Sequence, residues 1–288
     1  MNKATKDLIK MALAEDVGIG DVTTELITSN LKLKTSKAQI ITKETGMIAG
    51  LPLAKLVFEV IDKKIKFTQK VKDGKQVKKG AVIAEIKGSA ESILKGERLV
   101  LNFLQQLSGV ATLTNQFVEL VKGTRCKILD TRKTTPLWRG AEKYAVLAGG
   151  GSNHRFGLYD AILIKDNHIV IAGGIDKAIR AIKANRAEGE IEIETKNIKE
   201  VKSAITAGAD KVLLDNMDIK TLKQAVRLCK KNKMWCEASG GVNLRTVRAI
   251  AKTGVDAVSI GALTHSAKAL DISLKIESIL KGENAPGL

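Results

Sequence analysis

One pattern constrains this chain more than any other: short apolar runs that end abruptly in polar residues, repeated through its second half. KILDTRK (127–133) ends in Asp130, Arg132 and Lys133, and AILIKDNHIV (161–170) breaks at Lys165, Asp166, Asn167 and His168. IEIETK (191–196) ends in Glu194, KVLLDN (211–216) in Asp215, WCEASGG (235–241) in Glu237 and Ser239, and AVSIGA (257–262) in Gly261. From Asp166 onward, Glu194, Asp215, Ser239 and Gly261 stand 28, 21, 24 and 22 residues apart. Each step has room for one strand and one returning helix.

The intervening segments have the apolar spacing of helices. NIKEVKSAITAGA sets Ile198, Val201 and Ile205 on one face and stops at Gly208; DIKTLKQAVRLCKK does the same with Ile219, Leu222, Val226 and Cys229. Short apolar strands alternating with such helices predict a parallel α/β sheet. Five or six units in a row predict a (β/α) barrel, complete or partial, whose active site lies at the carboxyl ends of the strands. The polar residues named above then surround one mouth.

Bulk properties narrow the function. The 288 residues suffice for two domains, and no apolar run reaches the 18 or so residues of a membrane span. The first residues, MNKATKDLIKMALAEDVGIGD, carry no apolar secretion core. Cys126, Cys229 and Cys236 have no metal-type spacing, which predicts free thiols in a reducing cytoplasm. The net charge of +17 invites a nucleic-acid partner. Against that, the lysines are spread along the chain, and the five Phe, two Trp and two Tyr are not interleaved with them as stacking platforms. The expectation is a lysine-rich surface with no nucleic-acid or membrane partner.

Residues 1 to about 110 read differently: a short amphipathic helix at DLIKMALAEDV, then short strands with Gly-marked turns in KAQIITKETGMIAG and KIKFTQKVKDGKQVKKGAVIAEIKGSA. ESILKGERLVLNFLQQLSGVA follows as a helix, with Arg98 between Leu94 and Leu101 on its apolar stripe. Such an arginine either snorkels or is presented to a ligand or neighbouring subunit. The tail, KGENAPGL, reads as a frayed end.

Sorted by charge, the strand ends divide into three sets. Arg132, Lys133, His154, Arg155 and Lys165 form a cation cluster, which calls for an anionic, carboxylate-bearing ligand. Glu194 and Asp215 suit Mg²⁺ or sugar hydroxyls. The small residues of SGGV (239–242) and IGALTH (260–265) suit a phosphate. The three histidines, His154, His168 and His265, all fall within these segments.

DTRKTTP, EKYAVLAGGGSNHRFGLYDAILIKDNHI, IEIET, LLDNM, EASGGV and SIGALTH, in this order, together with LAEDVGIGDVTTELI (13–27) and GERLVLNFLQQLSGVAT (96–112), resemble the quinolinate phosphoribosyltransferase family over most of the chain. Leu137 stands where many members have glycine. A loop glycine is replaceable where φ is negative, so the departure bears on local loop shape.

The resemblance implies an N-terminal α/β (α+β) sandwich domain, 1–110, and an incomplete (β/α) barrel, 111–288, whose C-terminal helix packs back on the first domain. It implies a homodimer, or an assembly of dimers, with shared active sites and Arg98 supplied by the partner. The implied substrates are quinolinate and phosphoribosyl pyrophosphate (PRPP). Arg98, Thr131, Arg132, Lys133, His154, Arg155 and Lys165 would hold them with Glu194 and Asp215. Those two carboxylates would also hold Mg²⁺, and Lys165, Glu194 and Asp215 are the candidate catalytic residues. Ser239, Gly240, Gly241, Gly261 and His265 would take the 5′-phosphate, while Asp166, Asn167 and His168 shape the pocket. The alternatives are a related transferase for another acidic base, a phosphosugar-binding barrel enzyme, or an RNA-binding protein.

Overall fold

The computed structural model describes residues 3–28, 35–185 and 189–280; the tail sequence KGENAPGL lies outside them. Two compact units are present. The first comprises 1–112, 140–149 and 267–288, and the second 113–139 and 150–266.

The first unit holds β1 (Thr35–Thr42), β2 (Gly46–Met47), β3 (Lys66–Gln69), β4 (Gln76–Val77) and β5 (Val82–Gly88). The second holds the barrel strands: β6 (Lys127–Leu129), β7 (Ile162–Ile164), β8 (Ile191–Thr195), β9 (Lys211–Asp215), β10 (Trp235–Ser239) and β11 (Ala257–Ser259). A last strand, β12 (Ile272–Leu280), belongs to the first unit.

In the first unit an antiparallel sheet runs in the order β12-β1-β5-β3, beside a two-stranded ribbon of β2 and β4. Helix Leu51–Ile61 buries Leu51, Leu53, Ala54, Leu56, Val57 and Phe58. The expected C-terminal helix is instead the strand β12, paired to β1 from Thr42↔Ile272 onward. Its sequence explains the difference: Ile272, Leu274 and Ile276 alternate with Ser273, Lys275 and Glu277, a period of two rather than three to four.

Arg98 lies on helix Ala90–Val121 but not on its buried stripe. Leu99, Val100, Leu101, Phe103 and Leu104 are buried, whereas Arg98 and, one turn on, Asn102 are exposed. No described helix is long and apolar enough to cross a membrane.

In the second unit all six strands are parallel, in the order β6-β11-β10-β9-β8-β7. Leu129 also makes a parallel bridge to Ser152. The helices between the strands fall where the apolar spacing puts them. Ile198–Ala207 starts at Asn197, whose side chain accepts the Glu200 N–H, and ends at Gly208 with φ 78°. Ile219–Lys231 starts at Asp218, which accepts the Thr221 N–H, and buries Leu222, Ala225, Val226 and Cys229. The result is a parallel α/β barrel, as the repeat predicts, and incomplete, as the resemblance implies. The three cysteines are free and buried.

Candidate active site

Strand alternation decides which side chains meet. On β8, Glu192 and Glu194 share a face, as do Leu213 and Asp215 on β9 and Glu237 and Ser239 on β10. The register aligns Glu194 with Leu213, Leu213 with Glu237, and Asp215 with Ser239. Glu194, Leu213, Asp215, Glu237 and Ser239 line one cavity of about 770 Å³ at the carboxyl end of the sheet. Thr131, Arg132 and Lys133 line it after β6, and Lys165 and Asp166 after β7. His154, Arg155, Gly240, Gly241, Gly261 and His265 also line it; Asn167 and His168 do not, and Arg98 lies in the first unit.

Local bonds hold each group in place. Thr131 Oγ1 accepts the Lys133 N–H at 3.0 Å, and Thr264 Oγ1 donates to the Lys133 carbonyl at 2.6 Å. Arg139 donates to Thr134 Oγ1 and to the carbonyls of Phe156 and Arg132, tying the Arg132 loop to the Arg155 loop. His168 Nδ1 accepts the Lys165 N–H at 2.9 Å, so this histidine orients the residue ahead of it. Asp166 is paired with Lys196 Nζ at 3.3 Å.

Two glycines sit where a side chain would crowd the site. Gly240 has φ 92°, and a Cβ there would lie 2.2 Å from Asn216 Oδ1, while Asn216 Nδ2 donates to Asp215 Oδ2 at 2.9 Å. A Cβ on Gly261 would meet Lys133 Cδ at 2.8 Å.

The electrostatics of the cavity are unbalanced in two directions. At the cation end, burial and then the charge of Arg132 make ionisation of Arg155 less favourable than for a free arginine. Arg132 Nε is a buried donor without a hydrogen-bond acceptor. Both conditions favour an incoming anion. Burial, and then the charges of Asp215 and Asp166, push the Glu194 carboxyl above its ordinary value, against the opposing charge of Lys165. Two acidic groups so placed accept a hard cation or sugar hydroxyls.

Sequence reasoning missed the floor of the site. Asp130 is fully buried and accepts the His154 N–H at 2.8 Å. Glu192 and Glu237 are buried beneath the cations. Burial drives Glu237 up to about 8, helped by the charge of Glu192, while Ser259 and Lys211 oppose the shift. Ser259 acts on Glu237 without closing a hydrogen bond of good geometry.

A stability trend follows. The folded Glu237 carboxyl keeps its proton to about pH 8, whereas an ordinary glutamate loses it near 4.5. The folded state therefore binds more protons in that window, and stability falls as pH rises from about 5 to 8. Chemical denaturation at both ends of the window should show this fall, and Glu237→Gln should reduce it, leaving the part due to Glu192, which burial pushes up to about 7. An equal slope in the variant would contradict the assignment.

Leu137 corrects an expectation. Its φ is 66°, and its side chain is 79% exposed, so the replaced glycine position is left-handed rather than one with negative φ. A leucine there is strained by about 1–2 kcal/mol and contributes little packing. Leu137→Gly relieves that strain at an entropic cost of about 0.5–1 kcal/mol. The expected result is a higher Tm, by a net stabilisation of about 0.5–1 kcal/mol. A lower Tm would show that the loop is unstrained.

Fold and site together define an α/β barrel enzyme whose cavity carries a cluster of cations beside two carboxylates. The chain belongs to the quinolinate phosphoribosyltransferase family. Residues 21–108 match the N-terminal domain of quinolinate phosphoribosyl transferase and residues 110–275 its C-terminal domain. A probable nicotinate-nucleotide pyrophosphorylase [carboxylating] of Bacillus subtilis (strain 168) is 44% identical over 274 residues, covering 94% of this chain and 93% of the relative. Quinolinate phosphoribosyltransferase [decarboxylating] 2b, mitochondrial, of Nicotiana tabacum is 43% identical over 295 residues, covering 96% and 83%. The solved nicotinate-nucleotide pyrophosphorylase of Francisella tularensis superposes with a TM-score of 0.91 at 43% identity, covering 96% of this chain and 97% of that one.

Proposed function

We propose that this protein joins quinolinate to PRPP, releasing nicotinate mononucleotide, pyrophosphate and CO₂ in the biosynthesis of NAD. The observation that carries this reading is one cavity lined by three kinds of group: the cations Arg132, Lys133, Arg155 and Lys165, the carboxylates Glu194 and Asp215, and the small residues Ser239, Gly240, Gly241 and Gly261 with His265. A vicinal dicarboxylate, a ribose and a phosphate are the ligands this division suits.

Quinolinate and PRPP are both anionic, and their approach is unfavourable unless cations neutralise them. Arg132 and Arg155 take the two carboxylates, with His154 beside them and Arg98 supplied from a partner subunit of a homodimer. Lys133 and Lys165 also face the pyrophosphate. Glu194 and Asp215 hold the ribose hydroxyls and favour positive charge at the anomeric carbon. The same two carboxylates fit Mg²⁺, which commonly takes one or two protein carboxylates and completes its shell with substrate phosphate and water. Bound there, Mg²⁺ would neutralise charge on the leaving pyrophosphate.

No general base is needed, because the pyridine nitrogen attacks with its own lone pair. Once ribosylated, that nitrogen is cationic. The bond to the adjacent carboxylate then breaks, CO₂ leaves, and the electron pair stays on the ring carbon beside the cation. A proton completes the product, and Lys165 is the candidate donor. The reading places the enzyme in the cytoplasm, where its free thiols persist. Supplying quinolinate, PRPP and Mg²⁺ should yield pyrophosphate, CO₂ and nicotinate mononucleotide in equal amounts. Failure to form the nucleotide would overturn the reading.

A further inference from the structure

Beneath the cation pocket lie two buried glutamates that the proposed reaction does not use. Glu237 is 0% exposed and Glu192 is 8% exposed. Glu192 Oε1 and both oxygens of Glu237 have no hydrogen-bond partner. His154 Nε2 faces them, 3.5 Å from Glu192 Oε2 and 3.7 Å from Glu237 Oε2.

One imidazole and two carboxylates, with ligand atoms within 4.8 Å of one another, have the composition of a metal site. The other ring nitrogen argues against a metal. His154 Nδ1 accepts the Arg155 backbone N–H at 2.7 Å, so Nδ1 carries no proton. In the neutral ring the proton is then on Nε2, where a metal would need a lone pair. Nε2 stands within 3.5 Å of one carboxyl and 3.7 Å of the other.

We propose that Glu192 and Glu237 are positioning residues that fix the tautomer and orientation of His154, and through it the placement of Arg155. The connection is continuous. The carboxyls face Nε2 at 3.5 and 3.7 Å, the ring takes the Arg155 N–H on Nδ1, and Asp130 Oδ1 takes the His154 N–H at 2.8 Å. Arg155 donates from its guanidinium to the Ala161 carbonyl at 3.1 Å, which fixes its far end. With both nitrogens engaged, His154 acts on the substrate carboxylate by aiming Arg155 rather than by gripping it. The kinetic part of this inference rests on the proposed reaction; the spectroscopic part does not.

The test combines the two. In protein labelled with ¹⁵N-histidine, with His154 assigned by a His154→Gln variant, the wild type should show a protonated Nε2 and an unprotonated Nδ1. Glu237→Leu should scramble that tautomer preference and raise KM for quinolinate about tenfold, below the hundredfold reached when a reacting group is displaced by an ångström. KM for PRPP should stay the same. Glu237→Gln, which keeps an acceptor and the side-chain shape, should restore both readouts. An Nδ1-protonated His154 in the wild type would overturn the proposal even if Glu237→Leu failed to fold. So would a folded Glu237→Leu protein with an unaltered tautomer and unaltered KM. A wild type inactive on quinolinate would refute the proposed function alone, and the tautomer measurement would still decide this inference.

Discussion

Arg155→Ala and Lys165→Ala should each lower kcat/KM for quinolinate by about tenfold to a hundredfold while leaving the fold intact. Lys165 is exposed and Arg155 only half-buried, so neither change opens a cavity in the core. The Arg155 guanidinium donates to a loop carbonyl, that of Ala161. What each substitution removes is a charge-assisted contact to an anion, about 1.5–3 kcal/mol in general. That range converts to the stated factor in rate. The loss grows if a substrate carboxylate is left buried beside Arg132, whose Nε has no acceptor within the protein. Unchanged efficiency in either variant, checked by steady-state kinetics on folded protein, would place that residue outside the working site.

A second large effect concerns Arg98. It is exposed on its helix and belongs to a different unit from the cavity residues. If it completes a partner's site, Arg98→Ala and Lys165→Ala should each keep no more than about a tenth of wild-type activity, and mixing them under conditions of subunit exchange should restore activity. One site of a mixed dimer then carries both lesions and the other neither. Random pairing makes about half the dimers mixed, so about a quarter of wild-type activity should return. If Arg98 serves its own subunit, every site keeps a lesion, and activity stays at the level of the separate variants although exchange has occurred.

Much of this site was legible because barrel geometry turns sequence position into spatial position. Residues that end parallel strands share one mouth, so Arg132, Lys165, Glu194, Asp215 and Ser239 could be grouped without a structure. The floor was harder to read. Glu192 stands two positions before Glu194 on the same strand face, a signal present in IEIET, yet its relation to His154 and Glu237 depends on contacts far apart in sequence. Asp130 and Glu237 were visible as strand-end acids, but only burial separates them from solvated ones.

Other misreadings have equally local causes. Leu137 carries no sequence mark of its positive φ. The strand β12 was obscured because Ile and Leu suit helices and strands alike, and only its alternation distinguishes them. Arg98 looked embedded because its helix is apolar around much of its circumference, with Leu99, Leu101 and Phe103 buried close to it.

The most direct measurement is CO₂ release from quinolinate in the presence of PRPP and Mg²⁺, with nicotinate nucleotide formation from nicotinate as the control. A pocket that pairs two carboxylates leaves its cations unmatched when one carboxylate is missing. Sites built on such polar pairing reject the deficient analogue by about 10⁴-fold. The account predicts stoichiometric CO₂ from quinolinate and a kcat/KM for nicotinate lower by at least about 10³. Comparable turnover of the two, or none of quinolinate, would contradict it.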